Sequence, residues 1–410
     1  MRKTIALTAL ICVGASGVAM ASAYRIPEQN IDSTAKAGAN IASADRAATA
    51  YDNPANMSWV DNGWLTEIGL TYIHLTPIDY NDARTSAFDG SSKKEEFLLP
   101  TVFVVSPSYN NFRFGFSITG PYGLAKRWSD PYPVTYAKKF ELKVFDFNPT
   151  VSYKINDMIS LAAGARLLLA KGTVRNEGMT PAGVSFSRDL TGNYETDWGY
   201  NLALSVKPIE PLNLSVTYRS NVDMGLTSDA TLTTNFPSPT VFTSGGNVDL
   251  PAPAVLAVSA AYSWEKLTME FTWDRTFWSK YENLDIRYNQ PLTNPVLFSL
   301  FGSPVPRNWD DTNAFRISAS YEFNNTFTGM AGFAIDNNPI PDETVDFSLP
   351  DSDALLFSLG GRYKVNDTTE VGLGVLYDHK DSRSVSNDIA VGEFKNAQAW
   401  LVTLGFSYKF

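Results

Sequence analysis

Apolar and polar residues alternate with a period of two along most of the chain, which predicts β-strands with one apolar face. In the final stretch the apolar face holds Trp400, Val402, Leu404, Phe406, Tyr408 and Phe410. The residues between them are small or polar, and in other strands the same face carries charges such as Arg113, Glu270 and Asp274. Charges are costly in a dry core but natural in a hydrated lumen. The pattern therefore predicts a membrane barrel whose apolar face contacts lipid.

The number of alternating stretches predicts fourteen strands. We place them at 64–78, 97–109, 112–126, 140–155, 159–172, 197–207, 212–224, 251–264, 267–286, 312–323, 327–336, 354–365, 369–378 and 399–410. The links alternate between tight turns, such as Asn110-Asn111, and long loops, such as 173–196 and 225–250. An even strand number with short turns at one end and long loops at the other is typical of outer-membrane barrels. We therefore predict an all-β transmembrane fold, a 14-stranded antiparallel barrel over residues 61–410.

Residues 24–60 have a different composition, since they are small, Ala-rich and mostly uncharged. We predict that they form a small, partly helical hatch that plugs the barrel. The hatch contains Asn53, Pro54 and Ala55, in which Asn suits a helix N-cap and Pro suits the first helical position. The motif is either a functional element or only a turn or cap that anchors the plug.

Residues 1–23 carry the pattern of a secretory signal peptide. Arg2 and Lys3 precede an apolar run, and Ala21-Ser22-Ala23 gives a cleavage site. We therefore expect export to the outer membrane of a Gram-negative bacterium. The single cysteine, Cys12, lies in this segment, so we expect neither a disulfide nor thiol chemistry.

The charge of the chain disfavours a nucleic-acid partner. The formal net charge is -10, and without Arg2 and Lys3 the count of basic residues falls from 33 to 31 against 43 acidic residues, which gives -12. No basic footprint for phosphates is present. After the signal peptide no run of 18 or more apolar residues occurs, which excludes helical membrane spans.

Several motifs, taken in order, resemble those of the FadL-type family of outer-membrane transporters, and the similarity covers the whole chain after the signal peptide. They are the hatch segment ending in Asn53-Pro54-Ala55, GPYGLAKRW (120–128), DFNPTVSYKIND (146–157), DWGYNLAL (197–204), the Tyr218-Arg219-Ser220 strand, VDLPAP (248–253), WSKYENL (278–284), PIPDETVDFSLPDSD (339–353) and the final strand. The resemblance implies a fourteen-stranded barrel with an N-terminal hatch. It also implies uptake of hydrophobic molecules by diffusion, namely long-chain fatty acids or, in some branches, aromatic hydrocarbons.

Gly120 and Pro121 interrupt the third predicted strand. Proline cannot donate to a sheet ladder and glycine tolerates a bend, so this pair predicts a kink with a gap to the neighbouring strand. The family resemblance implies the same kink and a lateral exit into the bilayer. The alternative is that the strand ends at Thr119 and a loop follows.

The candidate ligand contacts lie in two long loops and in the lumen. The apolar capture residues predicted in the loops are Met179, Val184, Phe186, Leu226, Leu232, Phe236, Val241 and Phe242. Arg166 and Arg316 are the candidate carboxylate-binding residues. The alternative for either arginine is an ion pair with a lumen carboxylate such as Glu270 or Glu322. The apolar loop 291–305 is expected to cover the top of the barrel.

The predicted function is transport of long-chain fatty acids, with capture at the outer loops and lateral diffusion through the kinked third strand. The alternatives are uptake of aromatic or aliphatic hydrocarbons and, less favoured, a general porin. We expect no enzymatic activity, no cofactor and no metal, because the sequence has no Cys/His cluster and no Gly-rich phosphate loop. Expected partners are the hydrophobic ligand, outer-membrane lipid with lipopolysaccharide, and the barrel-assembly machinery, which the aromatic C-terminal Phe410 would engage. The chain is expected to be a monomer.

Overall fold

Fourteen antiparallel strands form a closed barrel in the structure, a computed structural model that describes residues 23–410. The barrel strands are β1 (Leu65–Leu75), β2 (Glu95–Val105), β3 (Phe112–Thr119, continued by Gly123–Arg127), β4 (Lys139–Lys154), β5 (Ile159–Met179), β6 (Glu195–Ile209), β7 (Leu212–Arg219), β8 (Ala254–Trp264), β9 (Leu267–Phe277), β10 (Thr312–Glu322), β11 (Phe327–Asp336), β12 (Ala354–Asn366), β13 (Thr369–Lys380) and β14 (Gln398–Lys409). The first and last strands pair along eleven residues, from Leu65 opposite Lys409 to Leu75 opposite Ala399. The prediction of a fourteen-stranded barrel is confirmed. Except for Ala23, the predicted signal peptide lies outside the described residues.

The two faces of the strands are those predicted from the alternation. In β3 the side chains of Phe112, Phe114 and Phe116 are exposed on the outer surface, whereas Arg113 and Ser117 are buried toward the lumen. The turn between β2 and β3 is tight, because Asn110 and Asn111 both adopt positive φ, of 50° and 69°. Two such residues match the twist of the strands that they join.

The long loops are more ordered than the sequence predicts. Val222–Thr234 and Thr240–Ala252 form a hairpin, and Val222–Thr234 also pairs with Ser185–Gly192, which itself pairs with the end of β5. The long connections predicted at 173–196 and 225–250 are present but contain paired strands, and the strand predicted at 212–224 ends at Arg219. Alternating Thr, Leu and Val residues give these loops the same strand propensity as the barrel. The hairpins therefore extend the barrel wall outward.

The remaining described elements are short. The strands are Asp79–Asp82, Gly90–Ser91, Asn283–Leu284, Arg287–Tyr288, Val305–Pro306, Arg383–Ser386 and Val391–Lys395, and the helical turns outside the hatch are Ser86–Phe88, Pro131–Ala137, Trp278–Lys280 and Pro295–Phe301. Pro295–Phe301 lies in the predicted covering loop, and its Leu297 and Phe301 pack against Phe186 and Leu232 of the hairpins. Within residues 23–410, no helix has both the length and the apolar character needed to span a membrane.

The N-terminal segment lies inside the barrel. It contains α1 (Ile31–Ala35), α2 (Thr49–Asp52) and a 3-10 helix (Pro54–Ser58), and almost all of its side chains are buried. Helices this short are not stable alone, so the wall must hold them. At Gly332 the wall approaches the hatch so closely that a Cβ atom would lie 2.2 Å from the carbonyl carbon of Lys36.

Buried ion pairs fix the hatch to the wall. The guanidinium of Arg362 in β12 contacts Asp32 of α1 at 2.6 Å, Glu67 of β1 at 3.0 Å and Glu370 of β13 at 3.2 Å. Arg46 of the hatch also pairs with Glu370, at 2.7 Å. One wall cation thus joins three barrel strands to the first hatch helix.

Replacing Arg362 by Leu is expected to destabilise the protein by about 3–5 kcal/mol, because three carboxylates then lose their shared cation in a buried site. Thermal unfolding in detergent measures the loss of stability, and single-channel conductance in planar bilayers reports release of the hatch. Lys409→Met is the matched control, since its pair with Asp61 is exposed and is expected to contribute less than about 1 kcal/mol. Equal stability of the two variants would contradict this role of Arg362.

Candidate functional site

The third barrel strand contains one extra residue at Gly120-Pro121. On one side of this point Thr119 lies opposite Asp146 of β4, and on the other side Gly123 lies opposite Lys143. The chain of β3 thus advances four residues while β4 advances three, which is the geometry of a β-bulge. The strand continues beyond Pro121 and does not end at Thr119.

The break leaves a window between β2 and β3. The two strands pair only through Val102–Val105, so in the described structure the preceding part of β2, 95–101, has no ladder partner on this side. The strands approach again at the outer end, where Arg127 pairs with Glu95 at 2.7 Å. The window is thus bounded by strand pairing below and by an ion pair above.

Apolar side chains fill the window from inside. Phe97 and Leu99 of β2 pack in one buried cluster with Ile26 of the N-terminal segment and Ala125 of β3. At Gly120 the strand passes so close to β2 that a Cβ atom would lie 2.5 Å from a methyl carbon of Leu99. The window is therefore apolar and closed in this conformation.

The N-terminal segment supplies the hydrogen bonds that β3 lacks at the break. The N–H of Ile26 donates to the carbonyl of Pro121 at 2.8 Å, and the N–H of Gly123 donates to the carbonyl of Tyr24 at 2.8 Å. The side chain of Gln29 accepts from the N–H of Gly120 at 2.8 Å and donates to its carbonyl at 3.1 Å. The hatch thus satisfies the backbone on the inner side of the window.

An apolar pocket lies on the outer side of the hatch, beside the window. We call it the aromatic pocket. It is a small cavity of about 20 Å³, lined by Tyr24, Leu124, Phe140, Leu142, Leu250, Tyr281, Arg307, Trp309, Ile340, Thr344, Asp346, Ser348 and Leu349. The ring centroids of Tyr24 and Trp309 are 5.6 Å apart, and those of Tyr281 and Trp309 are 4.8 Å apart. A cavity of this size holds about one water molecule, so a larger ligand enters only when the lining side chains move apart.

Arg307 and Asp346 are the buried charged pair of the aromatic pocket, with Nη1 2.7 Å from the carboxylate. Burial raises the pKa of Asp346, but Arg307 and Ser348 outweigh it, so the pKa lies below its ordinary value. Sequence reasoning missed both residues, because Arg307 lies in the loop before β10 and Asp346 lies in the loop after β11. The only signal was that Asp346 and Ser348 lie within the PIPDETVDFSLPDSD motif.

The two arginines predicted to bind a carboxylate are both engaged within the protein. Arg166 is fully buried and pairs with Asp146 at 2.8 Å. Arg316 pairs with Asp274 at 2.7 Å and with Asp336 at 2.9 Å. The alternative of ion pairing thus describes their contacts, although the partners are aspartates and not Glu270 or Glu322.

The predicted capture residues do not form one surface. Met179, Phe236 and Val241 are exposed, Val184 and Phe242 are half-buried, and Phe186, Leu226 and Leu232 are buried. The last three pack in apolar clusters within the protein, as ordinary loop packing would place them. Met179 and Phe186 line a groove of about 790 Å³ on the outer surface, which we call the outer groove.

The hatch motif acts as a cap. The side chain of Asn53 accepts a hydrogen bond from the N–H of Ala55 at 3.2 Å, and Pro54 begins the 3-10 helix. The amide of Asn53 also donates to Ser215 of β7 at 3.0 Å, and Ala55 packs against the wall. Nearby, the Glu270 carboxylate accepts from the N–H groups of 41–43 at 2.7–2.9 Å. These contacts fix the lower part of the hatch.

No metal-binding arrangement is present in the part of the chain that the structure describes: no three His, Cys, Asp or Glu side chains come together to hold an ion.

Comparison with known proteins gives one consistent result. Residues 12–410 match the family described as "Outer membrane protein transport protein (OMPP1/FadL/TodX)". A long-chain fatty acid transport protein of Salmonella typhi is 25% identical, over 90% of this chain and 89% of the relative. The crystal structure of a Pseudomonas aeruginosa FadL homologue aligns with a TM-score of 0.81 at 18% identity, covering 94% of this chain and 99% of that one. The crystal structure of the Pseudomonas putida toluene transporter TodX aligns with a TM-score of 0.72 at 16% identity, covering 93% of this chain and 98% of that one.

Replacing Gln29 by Leu is expected to expose the break in β3, because the N–H and carbonyl of Gly120 lose their partners, at about 1–3 kcal/mol for each unsatisfied group. Amide hydrogen exchange at Gly120 and Gly123 should become about tenfold faster or more. Gln290→Leu, on an exposed outer loop, is the matched control. Unchanged exchange at Gly120 would show that the hatch does not protect the break.

Proposed function

The chain belongs to the OMPP1/FadL/TodX family of outer membrane transport proteins, and we propose that its ligands are long-chain fatty acids. The observation that carries this proposal is the aromatic pocket, in which apolar walls surround the single guanidinium of Arg307. An apolar chain with one carboxylate matches such a lining.

Capture begins at the outer groove, where exposed apolar side chains such as Met179 meet the ligand. Trp128 and Val134 of the groove belong to the same buried apolar cluster as Tyr24 and Phe140 of the aromatic pocket. A ligand that moves between the two sites therefore keeps apolar neighbours throughout.

Arg307 binds the carboxylate of the fatty acid. Its Nη1 contacts Asp346, Nη2 makes a long contact of 3.5 Å to Ser348, and the guanidinium also interacts with the side chain of Tyr281. The guanidinium has five N–H donors in a planar fork, so it can bind a second carboxylate beside the first. Burial strengthens this interaction relative to water.

The ligand leaves through the window between β2 and β3 into the bilayer. The hatch blocks straight passage along the lumen, because it is held by the buried pairs of Arg362 and Arg316. Phe97 and Leu99 give the window an apolar lining. Leaving sideways spares the acyl chain from crossing water in the periplasm.

Aromatic or aliphatic hydrocarbons are the second candidate ligands. The observation that favours aromatic ones is the cluster of Tyr24, Trp278, Tyr281 and Trp309, since flat rings stack well on flat rings. A hydrocarbon has no carboxylate and gains nothing from Arg307. A general porin is disfavoured because the hatch fills the lumen.

The chain is proposed to act without catalysis, cofactor or metal, and as a monomer. Lipid and lipopolysaccharide would surround the exposed aromatic side chains of the outer face. The barrel-assembly machinery would recognise Phe410, whose ring is 72% exposed at the end of the last strand.

The double variant Arg307→Gln with Asp346→Asn removes the buried pair without leaving one charge unpaired. The affinity for oleate is expected to fall about tenfold or more, whereas the affinity for oleyl alcohol should change by less than about twofold. Titration of the purified protein with each ligand measures both. Equal affinities for oleate in the variant and the natural protein would favour the hydrocarbon hypothesis.

Deleting Pro121 is expected to restore the one-to-one register of β3 with β4 and to close the window. Uptake of labelled oleate by cells should fall about tenfold or more, while binding to the aromatic pocket persists. Deleting Gly183, which lies in an exposed outer turn, is the control. Normal uptake in the Pro121 variant would exclude the window as the exit.

A further inference from the structure

We propose that Arg219 forms a second carboxylate-binding site, on the inner side of the break in β3. The proposal rests on the proposed function, because it takes the ligand to be an amphiphile with one carboxylate. It adds a step between the aromatic pocket and the window.

Arg219 lines a cavity of about 50 Å³ that we call the inner cavity. Its guanidinium carbon lies 3.8 Å from the ring centroid of Tyr51, and Nη2 donates to the carbonyl of Tyr51. The Nη1 atom is buried and has no hydrogen-bond partner in the described structure. A buried donor without a partner is unfavourable, so a ligand that accepts a hydrogen bond from it gains free energy.

Other buried guanidinium groups in the lumen are engaged. Arg166 and Arg316 pair with aspartates, although Nη2 of Arg166 also lacks a hydrogen-bond partner in the described structure, and Arg362 pairs with three carboxylates. Arg113 donates to four backbone carbonyls at the lower end of the barrel. Arg219 instead has no carboxylate within ion-pair distance among the described residues, and its carbonyl and ring contacts leave its charge uncompensated.

Arg219 differs from the other charged groups that line the inner cavity, because those groups already have partners. The cations are Arg25, Arg219 and Arg316, and the carboxylates are Asp52 and Asp274. Asp274 is already held by Arg25 at 2.5 Å and by Arg316 at 2.7 Å, and Asp52 accepts from two asparagine amides of the hatch. Arg316 also pairs with Asp336 at 2.9 Å and lies 3.7 Å from Glu28, so among the cations that line the cavity only Arg219 has no carboxylate within ion-pair distance in the described structure.

The inner cavity lies against the break in β3. Pro121 and Tyr122 line it, and the ring of Tyr122 is 6.5 Å from that of Tyr24 in the aromatic pocket. Val255 and Ala257 add apolar wall on the opposite side. A carboxylate that leaves Arg307 can therefore be held by Arg219 while the acyl chain enters the window.

The variant Arg219→Gln distinguishes carboxylate binding by Arg219 from a purely structural role of this residue. Uptake of labelled oleate is expected to fall about tenfold, whereas uptake of oleyl alcohol should change by less than about twofold. Arg219→Lys should restore most of the oleate uptake, since it keeps the charge. Arg287→Gln, in an exposed pair with Asp249 on an outer hairpin, is the matched control. Equal loss of both substrates, or full oleate uptake in Arg219→Gln, would overturn the proposal.

A binding measurement keeps the test independent of uptake and of the proposed function. Carboxyl-labelled ¹³C-octanoate is titrated into the Arg307→Gln, Asp346→Asn variant, in which the outer pair is absent. One carboxylate site is expected to remain, and adding Arg219→Gln should weaken it about tenfold or more. If the natural protein takes up no oleate, the fatty-acid proposal fails. The titration still shows whether Arg219 binds a carboxylate. Identical binding with and without Arg219→Gln would overturn the site.

Discussion

The interruption of the β3 ladder is the constraint on which the rest of the structure depends. In a membrane wall every backbone N–H and carbonyl needs a partner, and Pro121 removes one donor while the bulge shifts the others. The N-terminal segment supplies partners through Tyr24, Ile26 and Gln29. The position of the hatch and the existence of a side window are thus two results of one break in one strand.

A hatch that repairs the wall must itself be held, and short helices cannot do this alone. The wall provides the missing stability through Arg362, Arg316 and Glu270, whose side chains bind hatch groups from several strands. A buried pair adds little net stability, yet breaking it is costly, so these contacts specify position more than they strengthen the fold. The contacts inside the barrel are therefore mainly ionic and polar below the break and apolar above it.

The period of two was sufficient to predict the strands and their faces. In β3, Phe112 and Arg113 were assigned correctly because lipid and lumen impose opposite requirements on neighbouring residues. The outer hairpins were not predicted, because Leu226 and Leu232 alternate with polar residues as barrel residues do, and length alone suggested a loop. Arg307 and Asp346 were missed for a different reason. Their pairing depends on how two distant loops meet, and local sequence carries no information on that contact.

The same argument explains why the two predicted arginines, Arg166 and Arg316, have carboxylate partners. A lumen-facing arginine in a strand has neighbouring strands on both sides, and the cost of a buried lone charge favours an aspartate there. A guanidinium becomes available to a ligand only where the sheet is interrupted or ends. Arg307 lies in a loop beyond β9, and Arg219 is the last residue of β7, beside the inner cavity. Ligand contacts in such a barrel are therefore better sought at strand ends than at strand centres.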